Sequence, residues 1–167
     1  LLDDLPPFLY GGSMIETVTM TSATWAPAPR KFEAGVPNMA QAVGLGAALD
    51  YLMSIGMHEV HSHEVALTKY LIDKLQQISD LKIVGPTSID SRGGAVSFTV
   101  GEIHPHDLGQ YVDSQGVAVR TGHHCAWPLT RKLGVPATTR ASLYLYNEES
   151  DCDALFDAIL GAQKYFA

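Results

Sequence analysis

Between Met39 and Met53 the chain carries a single charged residue, Asp50, among small and apolar side chains, in the order MAQAVGLGAALDYLM. Asn38, preceded by Pro37, is a favourable N-cap for this run, which therefore reads as a helix. A helix without a polar face has to be covered on all sides, so the stretch is expected to be buried. Gly44, Gly46, Ala47 and Ala48 would admit another backbone at close range, and Gly56 ends the element.

The residues before this helix offer little to cover it. Up to Val36 the chain is interrupted by Pro6, Pro7, Gly11, Gly12, Pro27, Pro29 and Gly35, without helical or strand periodicity. This predicts extended, irregular backbone that needs other protein to lie against. The first residue is Leu1 and not Met, and Leu1 to Pro7 read like the interior of a longer chain, so a fragment is expected. The division expected is an irregular segment, 1–36, and a small α/β domain, 37–167.

From His58 the apolar residues Val60, Val65, Leu67, Leu71, Leu75 and Ile78 recur mostly at three to four residues, predicting an amphipathic helix of about 20 residues. His58, His61 and His63 read as part of its solvated face. Leu81–Val84 and the alternating Ala95–Val100 read as two strands paired antiparallel. Pro105 opens a third helix that Gly116 closes, with His104 and His106 explained by capping. Val117–Arg120 and Thr139–Tyr144 are the remaining strand candidates, and Asn147 caps a terminal helix carrying Leu155, Phe156, Ile159 and Leu160. The sum is an α+β fold, a short mixed or antiparallel sheet covered by helices.

Composition supports one ordinary domain: 167 residues, 46% hydrophobic and 17% charged, can bury roughly 70% of the unfolded surface without disulfides or metal. The formal charge of -7 is the wrong sign for unaided binding to nucleic acid. No apolar run reaches about 18 residues, and no basic stretch precedes an apolar one, so neither a membrane span nor a signal peptide is expected. Two cysteines fit a reducing compartment, and a cytoplasmic protein is expected.

Reactive side chains are densest in Arg120-Thr121-Gly122-His123-His124-Cys125, between a strand candidate and a loop containing Pro128. A thiol acts as its thiolate, which neighbouring guanidinium and imidazolium groups favour, so Cys125 is the candidate nucleophile. Cysteine is commonly a small buried hydrophobe, but three ionisable neighbours make an apolar core an awkward place for this one. Cys152, between Asp151 and Asp153, reads as structural. Zinc on His123, His124 and Cys125 is disfavoured by spacing, because three adjacent residues rarely point at one ion. Arg140 lies in an apolar-leaning strand, where its guanidinium suits a substrate carboxylate as well as an internal Asp or Glu. The turn Phe32–Asn38 ends at a helix N-terminus whose amides could receive an anion, but that signal is weak and an ordinary capped turn is the favoured reading.

The motif Arg120-Thr121-Gly122-His123-His124-Cys125-Ala126 with Pro128, together with Gly11–Ile15, Arg30–Asn38, Gly44–Ala48 and Arg140-Ala141-Ser142 before Tyr146-Asn147, resembles the C-terminal part of a cysteine desulfurase of the SufS type. That family consists of class V aminotransferases, which are fold-type I pyridoxal-phosphate enzymes. The resemblance covers essentially the whole chain and implies the small C-terminal domain of a homodimer. It implies that Cys125 takes sulfur from L-cysteine as a persulfide, releasing alanine, in service of iron–sulfur cluster assembly. Arg140 matches the arginine that holds the substrate carboxylate, and Arg120 one that lines the persulfide site. His123 and His124 match supporting positions beside the nucleophile, while Gly35 and Val36 match a cofactor-phosphate contact across the dimer. The short interval from Cys125 to Arg140 matches the group with a compact cysteine loop, which depends on an acceptor protein of the SufE or SufU type.

The chain departs from the family pattern at three points. Val36 stands where relatives usually have a Thr, removing a hydrogen bond to phosphate worth roughly 1.5–3 kcal/mol and leaving the amides around Gly35. Trp127 stands where Met or Gln is common. None of Lys31, Lys69, Lys74, Lys82, Lys132 or Lys164 has the Ser-x-His-Lys context of the Schiff-base lysine, so this stretch alone is expected to be inactive. A selenocysteine lyase or another class V relative, or a non-catalytic binding module, are the alternatives.

Overall fold

In a computed structural model, residues 1–90 and 92–167 are described, and they form two units, Leu1–Ser54 and Ile55–Ala167. The expected boundary at 36/37 lies inside the first of them.

The first unit is more regular than its prolines and glycines suggest. Thr19 and Ser22 close a turn, with the Thr19 N–H donating to the Ser22 carbonyl at 2.8 Å, and the flanking segments pair as an antiparallel hairpin, β1 (Ile15–Val18) with β2 (Ala23–Trp25). A single 3-10 turn follows at Arg30–Phe32. Arg30 Nε donates to the Ser13 carbonyl at 3.0 Å and Lys31 Nζ to the Asp3 carbonyl at 2.7 Å, fastening this turn to the preceding loop, where Met14 is fully buried. Isolated polar anchors of this kind leave no periodic signature.

The helix expected from the uncharged run forms as α1 (Met39–Ile55), but it is not buried. Only Leu52 reaches half-burial, and Met39, Val43, Leu45, Leu49, Tyr51 and Met53 are exposed. Helix formation needs only local backbone bonds and small side chains, whereas burial needs neighbours, and the described residues bury none of the α1 side chains.

The second unit is a two-layer α+β structure. Its elements are α2 (Met57–Leu75), β3 (Leu81–Val84), β4 (Ala95–Val100), α3 (Pro105–Ser114), β5 (Arg120–Gly122), α4 (Trp127–Lys132), β6 (Thr138–Ser142) and α5 (Glu149–Tyr165). The four strands form one sheet in the order β3-β4-β6-β5, with every neighbouring pair antiparallel. Pleating sends Val96, Phe98 and Val100 of β4 to one face, where they are buried against Leu67, Leu71 and Leu75 of α2, Leu108 and Val112 of α3, and Leu155 and Ile159 of α5. A polar tie holds α2 to α5: Lys74 Nζ lies 2.7 Å from Asp153 Oδ1, and the Tyr70 hydroxyl donates to the same oxygen at 2.9 Å. The hydrogen bonds from Lys74 and Tyr70 hold the Asp153 carboxyl below its ordinary range.

Helix ends follow the expected chemistry with small shifts. His104 Nδ1 accepts from the His106 N–H at 3.3 Å, capping α3 with Pro105 at its first position. Asn147 is not itself the cap of α5. Glu148 takes that place in a reciprocal box with Asp151, and Asn147 braces it by donating to Asp151 at 3.0 Å. Two strand expectations move: the pairing segment is Arg120–Gly122, three residues beyond the expected start, and β6 ends at Ser142. Helix α4 stands where a proline-bearing loop was expected, because Pro128 occupies its first turn, where proline needs no intrahelical donor.

Candidate active site

Strand register decides which side chains meet. Directly opposite residues of an antiparallel pair project to the same face. Thr139 and Ala141 pair with Phe98 and Val96 and are buried on the core side, so Thr138, Arg140 and Ser142 project to the other face. Arg120 pairs directly with Arg140, which places both guanidinium groups side by side on that face, opposite the helix layer. Arg140 is half-buried, and its Nε donates to Ser142 Oγ at 3.1 Å. Among the described residues neither arginine has a carboxylate within 4.0 Å. The internal-partner reading of Arg140 therefore finds no carboxylate partner among the described residues.

The segment after β5 turns sharply. Gly122 lies at φ 115°, followed by two non-glycine residues in the left-handed region, His124 at φ 53° and Cys125 at φ 62°. Each such residue costs of the order of 1–3 kcal/mol and persists only where its surroundings over-determine it. The turn is closed by the Ala126 N–H donating to the His123 carbonyl at 2.8 Å, and the Ala126 carbonyl in turn accepts from Leu129 and Thr130 at the start of α4. Cys125 is exposed at the apex, with Arg120 Nη2 3.9 Å from its Sγ.

The three adjacent candidate ligands go to different places. The His123 ring stacks on Trp127, His124 Nε2 lies 2.8 Å from Thr138 Oγ1, and the Cys125 thiol meets Arg120. Burial first, then the positive charges of Arg140 and Arg120, push the His124 imidazole below its ordinary range, so it is neutral near pH 7. Its Nδ1 is buried and has no hydrogen-bond partner among the described residues. Thr138 was not named from sequence, and Ser142, named only within a motif, and Trp127, named only as a departure from the family pattern, were given no role in the site. Thr138 and Ser142 follow from Arg140 once a strand is assumed, by counting two residues either way, and Trp127 needed the turn.

Cys152 is the counterpart. It is fully buried on α5, and burial, reinforced by Asp151, Asp153 and Glu149, pushes its thiol from 9.0 up to about 11. The fold thus favours the protonated thiol. Its stabilising share is intact below the ordinary value and is lost as pH rises towards the folded value. An alkylating probe near neutral pH is expected to label one thiol, Cys125. The second label should arrive only on unfolding or in strong alkali, as read by intact mass. Early labelling of Cys152 would contradict the burial.

Gly35 and Val36 belong to the other unit. The Gly35 N–H donates to the Gly12 carbonyl at 2.8 Å, and Val36 is 77% exposed with no polar atom in its side chain. The amide expected to help a phosphate is therefore already engaged.

The chain as a whole has relatives among known proteins. The aminotransferase class-V family matches residues 1–155, and the chain belongs to that family. A probable cysteine desulfurase of Streptomyces coelicolor is 60% identical over 99% of this chain and 40% of its own length. A cysteine desulfurase of Haloferax volcanii is 50% identical over 100% of this chain and 39% of its own. The crystal structure of the Escherichia coli cysteine desulfurase CsdA superposes with a TM-score of 0.86 at 33% identity, covering 98% of this chain and 40% of that one. The chain thus spans about 40% of the length of the curated relatives it matches.

The family is pyridoxal-phosphate-dependent. This stretch does not itself form a seat for that cofactor, since the Gly35 amide is spent, Val36 offers no hydroxyl, and no lysine stands in the Ser-x-His-Lys context.

Proposed function

We propose that this chain carries the sulfur-accepting part of a cysteine desulfurase of the SufS type, with pyridoxal phosphate seated by the remainder of the full-length protein. The observation that carries the reading is the exposed Cys125 thiol at the apex of a strained turn, 3.9 Å from Arg120, which pairs in register with Arg140, neither arginine having a carboxylate partner among the described residues. Arg140 binds the carboxylate of L-cysteine through its terminal nitrogens while Ser142 holds its Nε. The Cys125 thiolate attacks the substrate sulfur. An S–S bond forms as the bond from that sulfur to the β-carbon breaks, and the β-carbon keeps the electron pair and is protonated to the methyl group of L-alanine. Arg120, 3.9 Å from the Cys125 sulfur, holds it for attack and contacts the terminal persulfide sulfur afterwards.

His124, neutral and anchored to Thr138, shapes the loop. His123 supports it from the other side. An exposed persulfide serves transfer to an acceptor protein of the SufE or SufU type, and through it iron–sulfur cluster assembly. A homodimer in a reducing, cytoplasmic setting completes the proposal, with both cysteines free and no described helix long and apolar enough to cross a membrane. The position at the C-terminal end of the full-length enzyme belongs to the same proposal. It rests on the family resemblance alone, since a 40% share of the relatives' length does not by itself assign the chain to either end. The isolated stretch with added pyridoxal phosphate is inactive on this reading.

The test is to incubate the full-length protein with L-cysteine, trap thiols with an alkylating probe and read the Cys125 peptide by mass. One added sulfur atom supports the proposal. An unmodified Cys125 alongside released alanine overturns it.

A further inference from the structure

We propose that Trp127 is a positioning residue for the Cys125 loop, acting through His123. The indole lies on the His123 imidazole with ring centroids 3.7 Å apart and planes 11° from parallel, and the Arg131 guanidinium sits over the same indole at 5.6 Å. His123 and Trp127 flank the left-handed pair His124 and Cys125, so the stack clamps the turn from both sides, while the Ala126 to His123 hydrogen bond closes it. Core packing does not account for the indole, which is 54% exposed, whereas Thr130 is the buried residue of α4, its hydroxyl donating within the helix to the Trp127 carbonyl at 3.0 Å. Two consecutive non-glycine residues in the left-handed region relax unless something holds them. The stack supplies that hold and keeps the thiol in place beside Arg120, whose Nη2 lies 3.9 Å from its sulfur.

This inference rests on Cys125 being the sulfur acceptor. A thiol that has to meet a substrate sulfur gains from a fixed approach, whereas a merely structural cysteine does not.

The experiment compares wild type, Trp127→Leu and Trp127→Phe in the full-length protein. Two signals are read: the NMR shifts of the His123 ring protons, which the indole displaces by its ring current, and the rate of Cys125 alkylation near neutral pH. Trp127→Leu should abolish the ring-current displacement and slow alkylation about 2- to 12-fold, the range that corresponds to losing one aromatic stack. Trp127→Phe keeps a flat ring on His123 and should restore most of the rate. If Trp127→Leu is insoluble, Arg131→Gln, which removes the cation over the indole, should shift the same His123 resonances. Alkylation unchanged in Trp127→Leu, or as slow in Trp127→Phe as in Trp127→Leu, overturns the proposal. Wild-type protein that forms no persulfide but shows both responses ends the desulfurase reading and leaves the stack in place. Persulfide in the wild type without any response to Trp127→Leu ends this inference alone.

Discussion

Cys125→Ser in the full-length protein is expected to bind L-cysteine but to release alanine at least about 100-fold more slowly, within the roughly million-fold loss that removal of an enzymatic nucleophile can cause. The reason lies in the surroundings of the side chain. A serine hydroxyl at this position would need a base to become a nucleophile. The nearest imidazole in sequence, His124, has its Nε2 engaged with Thr138, and burial and the two arginines make its ring a weaker base than an ordinary histidine. Arg120, the group at 3.9 Å from the sulfur, accepts no proton. The loop therefore offers a serine hydroxyl no strong base, and sulfur is the nucleophile that suits it. Alanine release and the mass of the residue-125 peptide check this together. Retention of more than about half the wild-type rate would mean that the sulfur leaves to another acceptor, and Cys125 would lose its role.

Arg140→Gln carries the second large effect, an approximately 10- to 100-fold fall in kcat/KM for L-cysteine, expressed mainly in KM. Hydrogen bonds to charged groups are worth roughly 1.5–3 kcal/mol each, and a fork presents two, discounted here because Arg140 is only half-buried. Arg140→Lys should recover little, since a single ammonium cannot reproduce a planar two-pronged contact. Stability should move the other way. Arg120 and Arg140 face each other across β5 and β6, and like charges directly opposite in a sheet destabilise it, so the variant is expected to gain about 0.2–1 kcal/mol. An unchanged or raised Tm with raised KM supports a substrate-binding arginine held against the preference of the fold. A lowered Tm with unchanged kcat/KM would make Arg140 structural.

The reactive residues were legible in sequence because they are nearly contiguous: Arg120, His123, His124 and Cys125 fall within six positions. The main helices and strands of the second unit were legible for a related reason, since α2, β4 and α5 bury one periodic face each. The α1 helix was legible as a helix, and its surroundings were not. An apolar pattern reports a need for cover, and only the tertiary structure reports whether the chain meets it; here Met39–Ile55 has no buried residue. The hairpin β1–β2 was hidden because its strands are short and held by turn chemistry and polar anchors in place of alternation.

Sequence by itself determined the residue types of the site, their local order and the helical and extended periods that carry them, because those depend on neighbours along the chain. Tertiary structure alone decided that Arg120 stands opposite Arg140, that His124 turns to Thr138 while His123 turns to Trp127, and that one cysteine is exposed and the other buried. Each of these depends on strand register or on the sign of a backbone angle. A one-residue slip in register or a reversal of φ would leave the local sequence pattern intact and send the same side chains elsewhere.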